Sequence, residues 1–308
     1  MIWLKDVISV ETINKEVAKN PLSYINRCEE DYITKVKTIA DSIAELPGNR
    51  LVMLAGPSSS GKTTTAKILV GEFEKLSREA LTISLDDFYR DQKESFTFED
   101  GTPDYETVHS LDVDFINHSL SSLMKDKHCL LPRFNFITKE RESELVETRI
   151  ESDEIIIVEG LHALNPLITQ DLDENNLSKL YVSVSSRLTK NGKIFFNKRE
   201  LRFIRRLVRD YFSRNAAVDY TFYLWNGVRM GEDRYLFPYS PLADYRINSI
   251  HPYEPCVFKN IASELLSHIE KGSKYFEEAE KFKSKLSSFV EIEKALVPEN
   301  SLLREFIG

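Results

Sequence analysis

The sequence predicts an α/β fold built on a mainly parallel sheet, and three observations carry that expectation. Short apolar runs rich in β-branched residues, at 51–55, 80–85, 154–158 and 179–184, alternate with stretches of helical periodicity. These runs are continuously apolar rather than alternating, as strands covered on both faces must be. The first run passes through a glycine-containing loop directly into a helix, the order strand, tight loop, helix.

Taken in order, residues 1–49 read as a mostly helical N-terminal extension. Ile33, Val36, Ile39, Ile43 and Leu46 recur at helical spacing, and Pro47-Gly48 ends that helix. A core over 50–250 follows. Its first strand closes at Gly56, and a helix runs from Lys62 to Leu76 on Ala66, Leu69, Val70 and Phe73. The second strand ends at Asp86. Residues 91–110 are polar, contain Gly101 and Pro103, and read as a long functional loop. An amphipathic helix spans Leu111 to Leu123. Two short alternating segments within 129–150 predict an antiparallel excursion, and further strands follow at 154–158, 179–184 and, as a fifth, 243–248. Residues 251–308 form a C-terminal helical extension, charged on one face, which suits a solvated surface or a contact between copies of the chain.

Composition narrows the function classes. With 42% hydrophobic and 29% charged residues the chain can bury a full core, which excludes pervasive disorder, collagen and disulfide scaffolds. A net charge of -8 argues against an overall electrostatic grip on nucleic acid. Three scattered cysteines, Cys28, Cys129 and Cys256, suit a reducing cytoplasm and offer neither a metal-ligand spacing nor a redox pair. No apolar run approaches a membrane span, and no membrane partner is expected.

The chemistry is announced by Gly56-Pro-Ser58-Ser59-Ser60-Gly61-Lys62-Thr63, a full match to G-x-x-x-x-G-K-[ST]. Glycines let the backbone wrap a phosphate with its N–H groups, and the loop feeds a helix N-terminus whose dipole favours anions. Lys62 reaches the terminal phosphates and the Thr63 hydroxyl ligates Mg²⁺. Chance supplies such a match in roughly one chain in a hundred of this size, and less often between a strand and a helix. The motif predicts binding of ATP or GTP. Two acids, Asp86 and Glu159, close the second and third strands on the rim that carries the loop. A carboxylate there can hold Mg²⁺ through water or accept a proton from an attacking hydroxyl. Within 197–214, Arg202, Arg205, Arg206 and Arg209 share a helix face. Their bland partner is an acidic face of the same chain or solvent. The sharper one is a phosphate chain neutralised under a closing lid, with Phe203 and Leu207 packing behind.

These residues resemble a family. GPSSSGKTTTAKIL, SLDDFY, PDYETVHSLD, LPRFNFITKERE, IIIVEG and RRLVRDYFSR occur in the order found in the uridine kinase and phosphoribulokinase family. LWNGVRMGEDRYLFPYSPLADYRINS, with Trp225, Arg229 and Glu232, is similar to its bacterial uridine-kinase-like branch. Members of that branch often carry an N-terminal region similar to threonyl-tRNA synthetase, which does not occur in these 308 residues. The resemblance implies a phosphate-loop kinase fold with a five-stranded, mainly parallel sheet, a small β-hairpin over the acceptor and an Arg-rich lid near 197–235. It implies ATP and Mg²⁺, with Gly56, Ser58, Ser59, Ser60, Gly61, Lys62, Thr63 and Thr64 on the nucleotide. It further implies Asp86 as general base toward a nucleoside 5′-hydroxyl, Arg205 and Arg209 as lid arginines acting with Lys62, and Thr63 with Glu159 on the metal. Glu106 falls where the family holds ribose hydroxyls, and Tyr89, Phe134, Lys139 and Arg202 complete the implied substrate site. Well-characterised uridine kinases have tyrosine in place of Phe134 and histidine in place of Lys139, which implies a more permissive base pocket. Two other readings stay open: a kinase for another small hydroxyl compound such as a sugar phosphate or a pantothenate-like metabolite, and a non-catalytic nucleotide-binding regulator. The retained Lys62, Asp86 and Glu159 speak against the regulator.

Overall fold

Five parallel strands form the centre of the computed structural model, in the order Tyr245–Asn248, Leu177–Ser183, Leu51–Ala55, Ile155–Glu159, Ala80–Ser84. The structure describes residues 7–48, 50–91, 96–97, 104–136, 138, 140–151, 153–170 and 172–308. Lys139 and most of the polar loop at 92–103 lie outside the described residues.

The strands read as continuous apolar runs because both faces are covered. Val52, Leu54, Ile155 and Ile157 enter one buried cluster, and Leu51, Met53, Ile156 and Val158 enter the other. The second cluster takes Ile116, Leu120 and Leu123 from the helix Val113–Asp126. The first takes the phosphate-loop helix (Lys62–Lys75) and both chain extensions. In the N-terminal extension, Asn20 caps the helix Pro21–Ala44 by accepting the Ser23 N–H at 2.9 Å. That helix ends before Leu46, which is exposed in the following turn rather than continuing the apolar face.

The antiparallel excursion is two small ladders, His128–Leu131 with Val146–Arg149 and Phe134–Asn135 with Glu140–Arg141. Among the described residues no helix is long and apolar enough to cross a membrane.

The arginine helix spans Lys198–Arg214, with a reciprocal cap between Asn197 and Glu200. Phe203 and Leu207 are buried as expected, but so are Arg202, Arg205 and Arg206. The helix is therefore packed into the core on both sides along its first turns. The physical reason is charge pairing: Arg202 meets Glu232, and Arg205 meets Glu254 at the start of the helix Glu254–Leu266. The C-terminal extension likewise buries Phe282, Leu302, Leu303, Phe306 and Ile307 in this chain's own core.

Arg205 and Glu254 are both fully buried, so removing one leaves an unpaired buried charge. Glu254→Ala is expected to lower unfolding free energy by about 3–5 kcal/mol, read by urea denaturation. The apolar double variant Arg205→Met with Glu254→Leu is expected to recover most of that loss.

Candidate active site

The site is built where the central strands end. Leu51–Ala55 delivers the chain to Gly56, where a Cβ would lie 2.2 Å from the Val182 carbonyl oxygen, so only glycine lets the loop leave between its neighbours. The loop turns through Ser59 (φ 57°) and Gly61 (φ 87°) into the helix that starts at Lys62. No side chain caps that helix among the described residues, which leaves first-turn N–H groups available to an anion.

Ser58 is gripped at three atoms. Its N–H donates to Glu232 Oε1 at 2.9 Å, its carbonyl accepts from Arg202 at 3.0 Å, and its hydroxyl accepts from Arg206 at 2.7 Å. Arg202 and Glu232 are joined by two parallel hydrogen bonds of 2.6 and 2.7 Å. Glu232 opens a five-residue π-helical turn at the end of the helix Val218–Gly231. Beside it, a Cβ on Gly231 would lie 2.2 Å from Glu106 Cβ, so this glycine makes room for Glu106.

Three carboxylates face the loop. Glu159, the last residue of its strand, accepts from the Thr63 hydroxyl at 3.1 Å and the Ser84 hydroxyl at 3.2 Å. Burial raises its carboxyl to about 7, reinforced by Asp86 and opposed by Lys62. Glu106 is likewise pushed to about 7 by its removal from water, with Glu232 and Asp86 adding to the shift and Arg206 opposing it. His162 Nε2–H donates to the Glu106 carbonyl oxygen at 2.9 Å, and burial lowers the imidazole to about 4, which keeps it neutral. Asp86 lies in the 3₁₀ turn Leu85–Phe88, two residues past the strand, and lines the cavity. Its neighbour Asp87 is used differently, accepting the Phe134 N–H at 3.2 Å and an Arg133 N–H at 3.3 Å, which anchors the hairpin.

That anchoring stands Phe134 and Phe136 beside Tyr89, with ring centroids 5.6 Å (Tyr89–Phe134) and 5.1 Å (Phe134–Phe136) apart. The Arg214 guanidinium covers Phe136 at 5.2 Å.

Ser58, Ser59, Ser60, Gly61, Lys62, Thr63, Asp86, Tyr89, Glu106, Phe134, Glu159 and Arg209 thus open onto one cavity of about 1020 Å³. Gly56 and Thr64 flank it. The resemblance implies Arg202 and Arg205 at the ligand, yet neither lines this cavity: both meet buried carboxylates and the carbonyls of Ser58 and Ser59. The guanidiniums of this helix that line the cavity are Arg206, Arg209 and Arg214, arranged around Asp210. Arg206 was visible in the arginine run, but nothing local distinguishes it from Arg205. Glu232 stands out in the sequence only through the family resemblance, without a role, and Glu305 not at all, because the residues they hold, Ser58 and Thr64, lie 174 and 241 positions away.

Thr63 and Glu159 suit magnesium: it takes one or two carboxylate or hydroxyl ligands and completes its shell with phosphate oxygens and water. The buried Glu159 carboxyl, held by two hydroxyls and raised by desolvation, is a group that a cation would favour in its charged form. Without one, Glu159 binds its proton more tightly folded than unfolded, so its contribution to stability is full below about pH 4.5 and is lost as pH rises through about 7. Glu159→Gln is expected to flatten this fall and to melt above the parent at pH 7.5. Thermal melts between pH 5 and 7.5 without metal or nucleotide check it, and parallel profiles would sink the assignment.

The model of the phosphoribulokinase / uridine kinase family matches residues 51–252. A uridine kinase of Brevibacillus brevis is 30% identical over 169 residues, 55% of this chain and 70% of the relative. One of Staphylococcus aureus is 26% identical over 196 residues, 63% of this chain and 84% of the relative. Among solved structures, a possible uridine kinase from Bacillus stearothermophilus superposes with a TM-score of 0.49 at 17% identity, over 70% of this chain and 97% of that one. Phosphoribulokinase from Rhodobacter spheroides gives 0.42 at 13% identity, over 67% and 74%. With its family model spanning the sheet, the phosphate loop and the arginine helix alike, the chain belongs to the phosphoribulokinase / uridine kinase family of kinases.

Proposed function

We propose that the chain transfers the γ-phosphoryl group of ATP to the 5′-hydroxyl of a nucleoside, with uridine as the expected acceptor. The observation that carries this reading is a single cavity lined by the phosphate loop together with Asp86, Glu106 and an aromatic wall. The uridine kinases among its relatives support the choice of acceptor.

In this mechanism the loop N–H groups and Lys62 hold the phosphates, while Arg206 and Arg209 face the charge that spreads over the transferring group. Thr63 and Glu159 would hold magnesium, which supplies charge neutralisation on the phosphates. Glu106 accepts hydrogen bonds from the acceptor's ribose hydroxyls, and Tyr89 and Phe134 pack against its base. Asp86 takes the proton of the 5′-hydroxyl as that oxygen forms a bond to the γ-phosphorus. The bond from γ-phosphorus to the bridging oxygen breaks, and ADP leaves with the electron pair. Positioning and electrostatics carry the rate, and no residue is phosphorylated on the way. Arg214, pulled down to about 10 by burial yet still charged at neutral pH, lies over Phe136 at the acceptor end. Together with Arg209 it leaves more positive charge around Asp210 than one carboxylate balances, which favours a phosphorylated sugar as the second reading.

A panel of nucleosides and sugar phosphates, assayed with ATP and Mg²⁺ for ADP release and product, separates these readings. Uridine turning over with the highest kcat/KM is the expected result, and activity confined to a sugar phosphate overturns the first reading. Lys62→Ala is expected to abolish turnover with an unchanged melting curve. Asp86→Asn should lower kcat by about 10²–10⁴ with little change in ATP affinity. Collapse of ATP binding with intact single-turnover chemistry would instead make Asp86 a metal or folding residue.

A further inference from the structure

The phosphate loop gives any bound nucleotide a direction. Backbone N–H groups cradle the inner phosphates and Lys62 reaches the outer ones, so the nucleoside leaves the loop from the inner-phosphate end. In the ATP-donor reading above, the outer end belongs to the acceptor side with Asp86, Glu106 and the hairpin, which line the same cavity. Against the loop and the first turn of its helix stands the chain's last segment, 301–307. Leu302 covers Gly61, where a Cβ would lie 2.4 Å from Leu302 Cδ1. Phe306 lies under the Arg205 guanidinium at 5.2 Å. Glu305 accepts the Thr64 hydroxyl at 2.8 Å and is the residue of this segment that lines the cavity.

A carboxylate beside an anion cradle is costly to keep unless something uses it, since it repels the phosphates the loop attracts. What it can offer is acceptor capacity only. Two oxygens of one carboxylate suit two neighbouring hydroxyls, and the vicinal diol of ribose is the part of a nucleotide that follows the innermost phosphate. We infer that Glu305 holds the ribose hydroxyls of the donor nucleotide and makes the site select ribonucleotides over 2′-deoxyribonucleotides. The inference rests on the ATP-donor reading above and adds a specificity residue to it. Thr64 and Leu302 serve as its supports: Thr64 fixes one carboxylate oxygen, and Leu302 fixes the segment against the loop.

Calorimetric Kd values for ATP and 2′-deoxyATP, in the parent, Glu305→Gln and Glu305→Ala, test this without needing the acceptor. The parent is expected to bind ATP roughly tenfold or more tighter than 2′-deoxyATP, the scale of a hydrogen bond to a charged group. Glu305→Ala should bring the two within about twofold, mainly by weakening ATP, and Glu305→Gln should fall between. Melting curves control for folding, and if the alanine variant does not fold, the reduced ratio in the glutamine variant carries the test. An unchanged ratio in variants that still bind both nucleotides overturns the role of Glu305 and leaves the donor reading standing. Equal tightening of both nucleotides also overturns it, because the carboxylate would then act only by repulsion. A parent chain that binds neither nucleotide overturns the donor reading itself.

Discussion

The grip on Ser58 is the constraint from which the rest of the site follows. A loop that binds anions with its own N–H groups cannot use those groups to hold itself, so its shape has to be imposed from outside. Here the imposition is electrostatic and buried. Glu232 takes the Ser58 N–H, Arg202 its carbonyl and Arg206 its hydroxyl, while Arg205 reaches the Ser59 carbonyl from its pair with Glu254. Two ion pairs taken out of water are an expensive way to hold a loop, and they stand only because their geometry is bidentate or backed by further hydrogen bonds. The arginine helix consequently works as scaffold along its first turns, and only Arg206, Arg209 and Arg214 are left to meet a ligand.

The same burial tunes the carboxylates. Glu106 and Glu159 are both raised to about 7, while the adjacent Lys62 and Arg206 oppose the shift. The cavity therefore holds acids that ionise more readily when positive charge accumulates near them, which suits a site that must accept a polyanion together with its counter-ion. Asp86 and Asp87 show how finely the division of labour is set. A 3₁₀ turn splits the two neighbours, turning one toward the cavity and the other to the hairpin backbone that forms the cavity's wall.

Fold and phosphate loop were largely legible in the sequence because their signals are local. Strands buried on both faces must be continuously apolar, helices must repeat near 3.6, and a backbone cradle must have glycine where a Cβ would strike a neighbour, as at Gly56. The five central strands, the antiparallel excursion and the strand-end acids all sit close to where those rules put them. Leu46 shows the limit of periodicity, since a helix stops where packing stops and not where the pattern does.

What the sequence determined by itself is the α/β class, the phosphate-binding loop and the presence of acids on the rim beside it, each encoded within a few consecutive residues. Which arginines are structural and which face the cavity was decided only by tertiary structure. Arg205 and Arg206 are consecutive on one helix, yet Arg205 meets Glu254 and Arg206 meets Ser58. The same holds for Glu232 under the loop and Glu305 beside it, whose partners lie far away in sequence. Local pattern specifies backbone form and burial, whereas the use of a charge depends on what packing brings within hydrogen-bond reach, and that has no sequence period.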